Sequence, residues 1–243
     1  MARKSRKKKQ ESILFAHQQP KSAIAEAFRT LRTNISFSTY SGAKKAILVT
    51  SPSPDDGKST VCANLGVVMA QAQSRVLLVD CDLRKPTIHK FFELDNRLGL
   101  TNLLAQNRPL DDVVYATRVD GLYVIPSGPI PPNPSELLGT AQMGDLIKGL
   151  RGAYDVVLMD APPVIAVTDA VLLAPQADSV LLVLKAGTTR IEVALEARNA
   201  LQNAGAKSIG VVLNVIKANG GGYYNYYYSY YGDRNDQNQT LTT

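Results

Sequence analysis

Six short apolar runs recur along the chain, at residues 46–50, 75–79, 122–126, 156–159, 180–184 and 209–215, with almost no polar alternation. A strand with one wet face alternates, so unbroken runs of this length read as strands covered on both sides. Helical segments separate them, at residues 61–72, 134–150, 168–173 and 188–203. Strand and helix in alternation predict an α/β fold: a mainly parallel sheet flanked by helices, with right-handed crossovers. Ahead of the first strand, residues 22–37 predict an amphipathic helix. Ile24, Phe28, Leu31 and Ile35 fall at helical steps, and Pro20 and Ser22 signal its start. Glu26, Arg29 and Arg32 step along its other side, as an ion pair within the helix or as a surface for a neighbouring subunit.

The two ends of the chain break this pattern. Arg3, Lys4, Arg6, Lys7, Lys8 and Lys9 together match the net charge of +6 carried by all 243 residues. Residues 1–20 therefore read as a basic flexible tail, either simply solvated or drawn to an acidic membrane face or to nucleic acid. What remains is nearly neutral, which argues against a nucleic-acid partner. At the other end, Gly220-Gly-Gly222 precedes Tyr223, Tyr224, Tyr226, Tyr227, Tyr228, Tyr230 and Tyr231, seven of the chain's eleven tyrosines. Residues 218–243 read as a second flexible tail, its tyrosines a sticky structural segment or a set of phosphate acceptors. Residues 21–217 are left as one domain.

Candidate chemistry gathers at the strand ends. In sheets of this kind the ligand lies beyond the carboxyl ends of the strands, where Thr50, Asp80 and Asp160 stand. Ser51-Pro-Ser-Pro-Asp-Asp-Gly-Lys-Ser-Thr60 joins the first strand to a helix, the context in which a phosphate-binding loop works. Backbone N–H groups at a helix start attract phosphate, which makes Asp56, Gly57, Lys58, Ser59 and Thr60 candidate nucleotide contacts. Lys58 would bring positive charge to the terminal phosphates, and the Ser59 hydroxyl would hold Mg²⁺. Asp80 and Asp82 share a face of an extended segment and can converge on that centre, with Asp160 as a third carboxylate and Arg84 as a second cation. One carboxylate holding metal while another accepts a hydroxyl proton is the chemistry of phosphoryl transfer, with ATP and Mg²⁺ as the implied cofactors.

Composition removes other classes. No apolar run nears the roughly 20 residues that span a bilayer, and Ile13-Leu-Phe-Ala16 is too short for the core of a signal peptide. Cys62 and Cys81 have neither metal-ligand spacing nor a disulfide framework. A cytosolic protein is expected.

Taken together, these motifs resemble the bacterial tyrosine kinases, specifically the separate cytoplasmic kinase subunit of capsular and exopolysaccharide systems. Residues 51–60 resemble that family's Walker A segment, and residues 76–84, apolar and then Asp-x-Asp-x-Arg, its Walker A′. Residues 156–163 resemble its Walker B. Glu26-x-x-Arg29-x-x-Arg32 resembles its subunit-contact motif, and Pro126-Ser-Gly-Pro-Ile-Pro-Pro-Asn-Pro-Ser-Glu-Leu-Leu138 is a further match. The resemblance implies the deviant-Walker P-loop architecture shared with partition ATPases. It makes Asp80 the base for a tyrosine hydroxyl, Asp82 and Ser59 magnesium ligands, and Asp160 a second metal contact. Lys58 would stabilise the transferring phosphoryl, and Asn214 would contact adenine. The tail tyrosines would be phosphorylated in trans within a ring-forming homo-oligomer, an octamer included. A membrane-spanning activator would recruit the chain to the inner face of the plasma membrane, and sugar-nucleotide enzymes would be among its substrates.

The sequence departs from that pattern at two points, Pro52 and Asp55, where relatives carry glycine. If Asp55 must adopt a positive φ, it costs on the order of 1 kcal/mol. Rival readings are a positioning or partition ATPase that binds membrane or DNA, an iron–sulfur carrier ATPase, and a catalytically poor structural subunit. The first usually has a lysine early in the loop, and residues 51–57 have none; the second would want a Cys-x-x-Cys pair, which is absent.

Overall fold

A computed structural model describes residues 14–38 and 45–215. The basic run at residues 3–9 and the tyrosines at 223–231 lie outside the described residues. The strands are β1 (Lys45–Thr50), β2 (Val76–Asp80), β3 (Tyr115–Ala116), β4 (Leu122–Ile125), β5 (Val156–Asp160), β6 (Ser179–Lys185) and β7 (Ile209–Asn214). They form one seven-stranded sheet in the order β3-β4-β2-β5-β1-β6-β7. Every pairing is parallel except the short β3 against β4. The six apolar runs all became strands. β3, two residues long, has no run to announce it.

Ahead of β1 lie α1 (Phe15–Gln18) and α2 (Ala23–Ser38), and between the strands lie α3 (Lys58–Ala70), α4 (Ile88–Phe91), α5 (Leu100–Gln106), α6 (Pro134–Leu138), α7 (Ala141–Ala153), α8 (Asp169–Leu173) and α9 (Ile191–Asn203). Alternate residues of each inner strand point to opposite faces. Ile47 and Val49 pack with α3, while Ala46 and Leu48 pack with side chains of α5, α7, α8 and α9. Both faces are thus dry, which is why the strand sequences show no alternation. α3 is buried from Val61 to Ala70 because α1 and α2 cover the side it turns away from the sheet.

Four expectations need correction. The helix expected over residues 134–150 is two helices, because α6 stops at Leu138 and Thr140 starts α7 by accepting the Met143 N–H at 3.3 Å. β7 closes one edge of the sheet, and its Val211 and Leu213 are 56% and 58% exposed, so this strand is not covered on both faces. Residues 14–18 belong to the folded body rather than to a tail ending at 20: Leu14 is buried, and the Ala16 N–H donates to Asn64 Oδ1 at 2.9 Å. In α2, Ser22 does cap the start by accepting from Ala25 N at 3.2 Å, and Phe28, Leu31 and Ile35 pack inward as expected, but Ala25 takes the place expected for Ile24. Ala25 and Ile35 are buried while Ile24 is exposed. Arg32 turns inward as well, donating to the Val68 carbonyl of α3 at 2.9 Å. Arg29 pairs with Glu26 at 2.8 Å and donates to the Pro20 carbonyl. Among the described residues, no helix is long and apolar enough to cross a membrane.

Candidate active site

β5 is the central strand of the site, with β2 and β1 on either side of it. Asp80 at the end of β2 and Asp160 at the end of β5 are register partners, so the sheet itself sets the two carboxylates side by side. The loop after β1 closes over them. Gly57, at φ +94°, caps α3, and a Cβ there would collide with the Asn214 side-chain amide. Helix geometry leaves the N–H groups of residues 58–60 without intrahelical acceptors, a ready phosphate cradle. Pro52 is buried in this loop without preventing the strand–turn–helix path. Asp55 does adopt the left-handed conformation, at φ +64°.

Asp56 turns its carboxylate into the loop instead of toward a ligand. It accepts the Ser53 N–H and the Thr189 hydroxyl, each at 3.1 Å. Its carbonyl accepts from Asn214 Nδ2 at 2.9 Å, which ties the end of β7 to the loop. Asn214 thus packs against the loop at Asp56 and Gly57.

The chemical centre is built around the Lys58 ammonium. Nζ lies 2.8 Å from Asp82 Oδ2, 3.4 Å from both oxygens of Asp160, and 3.1 Å from Ser59 Oγ. The Ser59 hydroxyl donates to Asp160 Oδ2 at 2.5 Å. Burial pulls the Lys58 pKa down, but Asp160 and Asp82 outweigh it and hold the amine above its ordinary range. Burial raises the Asp160 carboxyl, against the pull of Lys58 and the Ser59 hydrogen bond. A cation therefore sits at the focus of two carboxylates and a hydroxyl, the hard oxygen donors that magnesium takes. Among the described residues no three acidic, His or Cys side chains form a metal cluster. Magnesium commonly takes one or two protein oxygens and fills its remaining positions with substrate phosphates and water. Ser59, Asp82 and Asp160 fit such an ion.

Asp80 does not join this focus directly. It is fully buried, and its carboxylate accepts backbone N–H groups from Asp82 on Oδ1 and from Thr87 and Ile88 on Oδ2. Burial, and then the neighbouring Asp160, push its pKa well above the usual carboxylate range. The i, i+2 argument for convergence with Asp82 misses this, because the chain leaves the strand at Cys81 and folds back over Asp80. Cys81 itself is buried in the apolar cluster, as its alternation predicts.

The AAA domain family matches residues 45–203. Over 225 residues the chain is 42% identical to the tyrosine-protein kinase YwqD of Bacillus subtilis (strain 168), covering 93% of this chain and 95% of that one. It is 39% identical over 224 residues to the putative tyrosine-protein kinase CapB of Staphylococcus aureus, covering 92% and 98%. The kinase domain of the Escherichia coli tyrosine kinase ETK superposes with a TM-score of 0.81 at 33% identity, over 86% of this chain and 82% of that one. The septum site-determining protein MinD of Pyrococcus horikoshii, solved with Mg-ADP, is more distant, with a TM-score of 0.61 at 26% identity over 70% and 69%. This chain belongs to the bacterial tyrosine kinases. The P-loop architecture shared with partition ATPases, expected from the motifs, is the one observed.

In this member of the bacterial tyrosine kinases, Arg84 lies on the turn beyond Asp82. Its Nε and Nη2 donate to the two oxygens of Asp169 at 3.0 Å each, and Nη2 also donates to Ser135 Oγ at 2.7 Å. Asp169 and Thr189 are site residues that the sequence does not reveal. Asp169 stands in the first turn of α8, and nothing local in the sequence ties it to an arginine 85 positions earlier. Ser135 lay inside the quoted Pro126–Leu138 motif without a stated role.

Proposed function

We propose that the chain is an ATP- and Mg²⁺-dependent protein-tyrosine kinase that phosphorylates its C-terminal tyrosine cluster in trans and regulates capsular or exopolysaccharide production. The observation that carries this reading is the Lys58 ammonium held among Asp82, Asp160 and Ser59, together with seven tyrosines at the chain's end. Magnesium, held by Ser59 and Asp82 with Asp160 behind them, would neutralise the developing charge on the phosphates.

Each residue then has a role. The N–H groups at the start of α3 cradle the phosphates, and Lys58 exchanges its carboxylate partners for the terminal phosphate. Arg84 adds positive charge at the rim. Asp80 receives the tyrosine proton on Oδ1, which takes a single backbone N–H and keeps a lone pair for that purpose. The bond from the γ-phosphorus to the bridging oxygen breaks, a bond to the tyrosine oxygen forms, and ADP leaves. Asn214 contacts adenine. Glu26, Arg29 and Arg32 serve the contact between subunits of a ring. Recruitment by a membrane-spanning activator, and sugar-nucleotide enzymes as further substrates, complete the proposal.

The test is an anti-phosphotyrosine assay of the purified full chain with ATP and Mg²⁺. Signal in the wild type and its loss in Lys58→Met is the expected result. ATP hydrolysis with no phosphotyrosine would instead favour a MinD-like switch.

A further inference from the structure

Arg84 extends from a surface turn, where an unrestrained guanidinium would sample many rotamers. Two side chains prevent this. Asp169, at the start of α8, is fully buried, and its carboxylate accepts from Arg84 Nε and Nη2 and from the Ser135 hydroxyl at 2.8 Å. Ser135, in the first turn of α6, accepts from the same Nη2. The three side chains form a closed cycle in which each member bonds the other two. A carboxylate removed from water is tolerated only with a charged, hydrogen-bonded partner, so Asp169 and Arg84 require one another. The fork uses Nε and Nη2, which leaves Nη1 as the outer corner of a guanidinium whose side chain is 37% exposed. Arg84 also lies within electrostatic reach of Asp82.

We propose that Asp169 and Ser135 are positioning residues for phosphoryl transfer: they lock Arg84 at the rim beside Asp82, so its charge is in place before the transferring group develops negative charge. Neither touches the substrate. A preorganised charge stabilises a transition state because nothing need reorient during the reaction. This also gives the 126–138 segment a task, since Pro134 opens α6 and delivers Ser135 to the cycle. The inference rests on the kinase reading.

The experiment uses the full chain with ATP and Mg²⁺, and the Lys58→Met chain as tyrosine substrate. Asp169→Asn keeps the shape but removes the charge that holds the fork. It is expected to lower kcat about tenfold or more while leaving KM for ATP within about twofold. Added to Arg84→Ala, it is expected to produce no further loss, because nothing remains to be positioned. Ser135→Ala should lower kcat by a smaller factor, and Ser135→Thr, which restores the hydroxyl, should recover it. The Ser135 pair carries the test if Asp169→Asn does not fold. An active wild type with unaltered Asp169→Asn, an equal loss from Asp169→Asn in the Arg84→Ala background, or Ser135→Ala indistinguishable from wild type overturns this inference alone. A wild type that makes no phosphotyrosine overturns the kinase reading and this inference with it.

Discussion

Asp55 at φ +64° is the residue where this loop differs energetically from one built with glycine. A left-handed L-residue carries a steric penalty of roughly 1–2 kcal/mol, which aspartate relieves in part, and glycine carries none. Strain carried by the folded loop bears on folding, so Asp55→Gly should raise the urea midpoint by the equivalent of up to ~1 kcal/mol. A midpoint at or below wild type would show that the strain is relieved elsewhere. At this scale the sequence foretold the gathering of Lys58, Ser59, Asp82 and Asp160, because strand ends and loop spacing fix where those residues must stand. It did not foretell that Asp80 is wrapped by the N–H groups of Asp82, Thr87 and Ile88. The path of the backbone beyond Cys81 leaves no mark in residue types. Asp56 is a similar case: nothing in the sequence foretells that its carboxylate closes the loop by accepting from Ser53 and Thr189.

Among the elements, α5 and the turn that begins the 126–138 segment fit together at a glycine. Gly99 has an extended backbone that any residue adopts, so its importance is space and not conformation. A Cβ at Gly99 would run into the backbone of Pro126 and Gly128, and backbone cannot step aside as a side-chain tip can. Around it, Leu100 N–H donates to the Pro126 carbonyl at 2.8 Å, and Thr101 N–H to the Ser127 carbonyl at 2.9 Å. Gly99→Ala should destabilise the domain by about 1–3 kcal/mol, read as a lower urea midpoint at unchanged slope. A midpoint equal to wild type would mean the turn has slack that the packing does not show. The inner strands were readable from their unbroken apolar runs. β7 was misread because an apolar run does not say whether a neighbour covers it, and the first inward position of α2 was misread because Ala25 is too small to register as a core residue beside Ile24. The break between α6 and α7 was visible in principle, as Gly139-Thr140 in front of a helical pattern.

The molecule as a whole places phosphate loop, carboxylates and Arg84 at one rim of the sheet, with both of its faces occupied by helices. The proposed function has the residues beyond β7, a strand whose Asn214 is tied to the phosphate loop, presented to a second copy across a contact made by α2. From residue 217 to Tyr231 the chain spans at most about 45–50 Å when extended. The family was legible from five motifs in order, while the network that aims Arg84 needed coordinates, since its members come from segments 51 and 85 residues apart. One mixing experiment tests the account most directly. A Lys58→Met chain with its tail intact is combined with an otherwise wild-type chain whose seven tail tyrosines are phenylalanine, and tail peptides are mapped by mass spectrometry after ATP and Mg²⁺ are added. The account predicts phosphate on tyrosines 223–231 of the Lys58→Met chain. ATP consumed while that tail remains unmodified would contradict it.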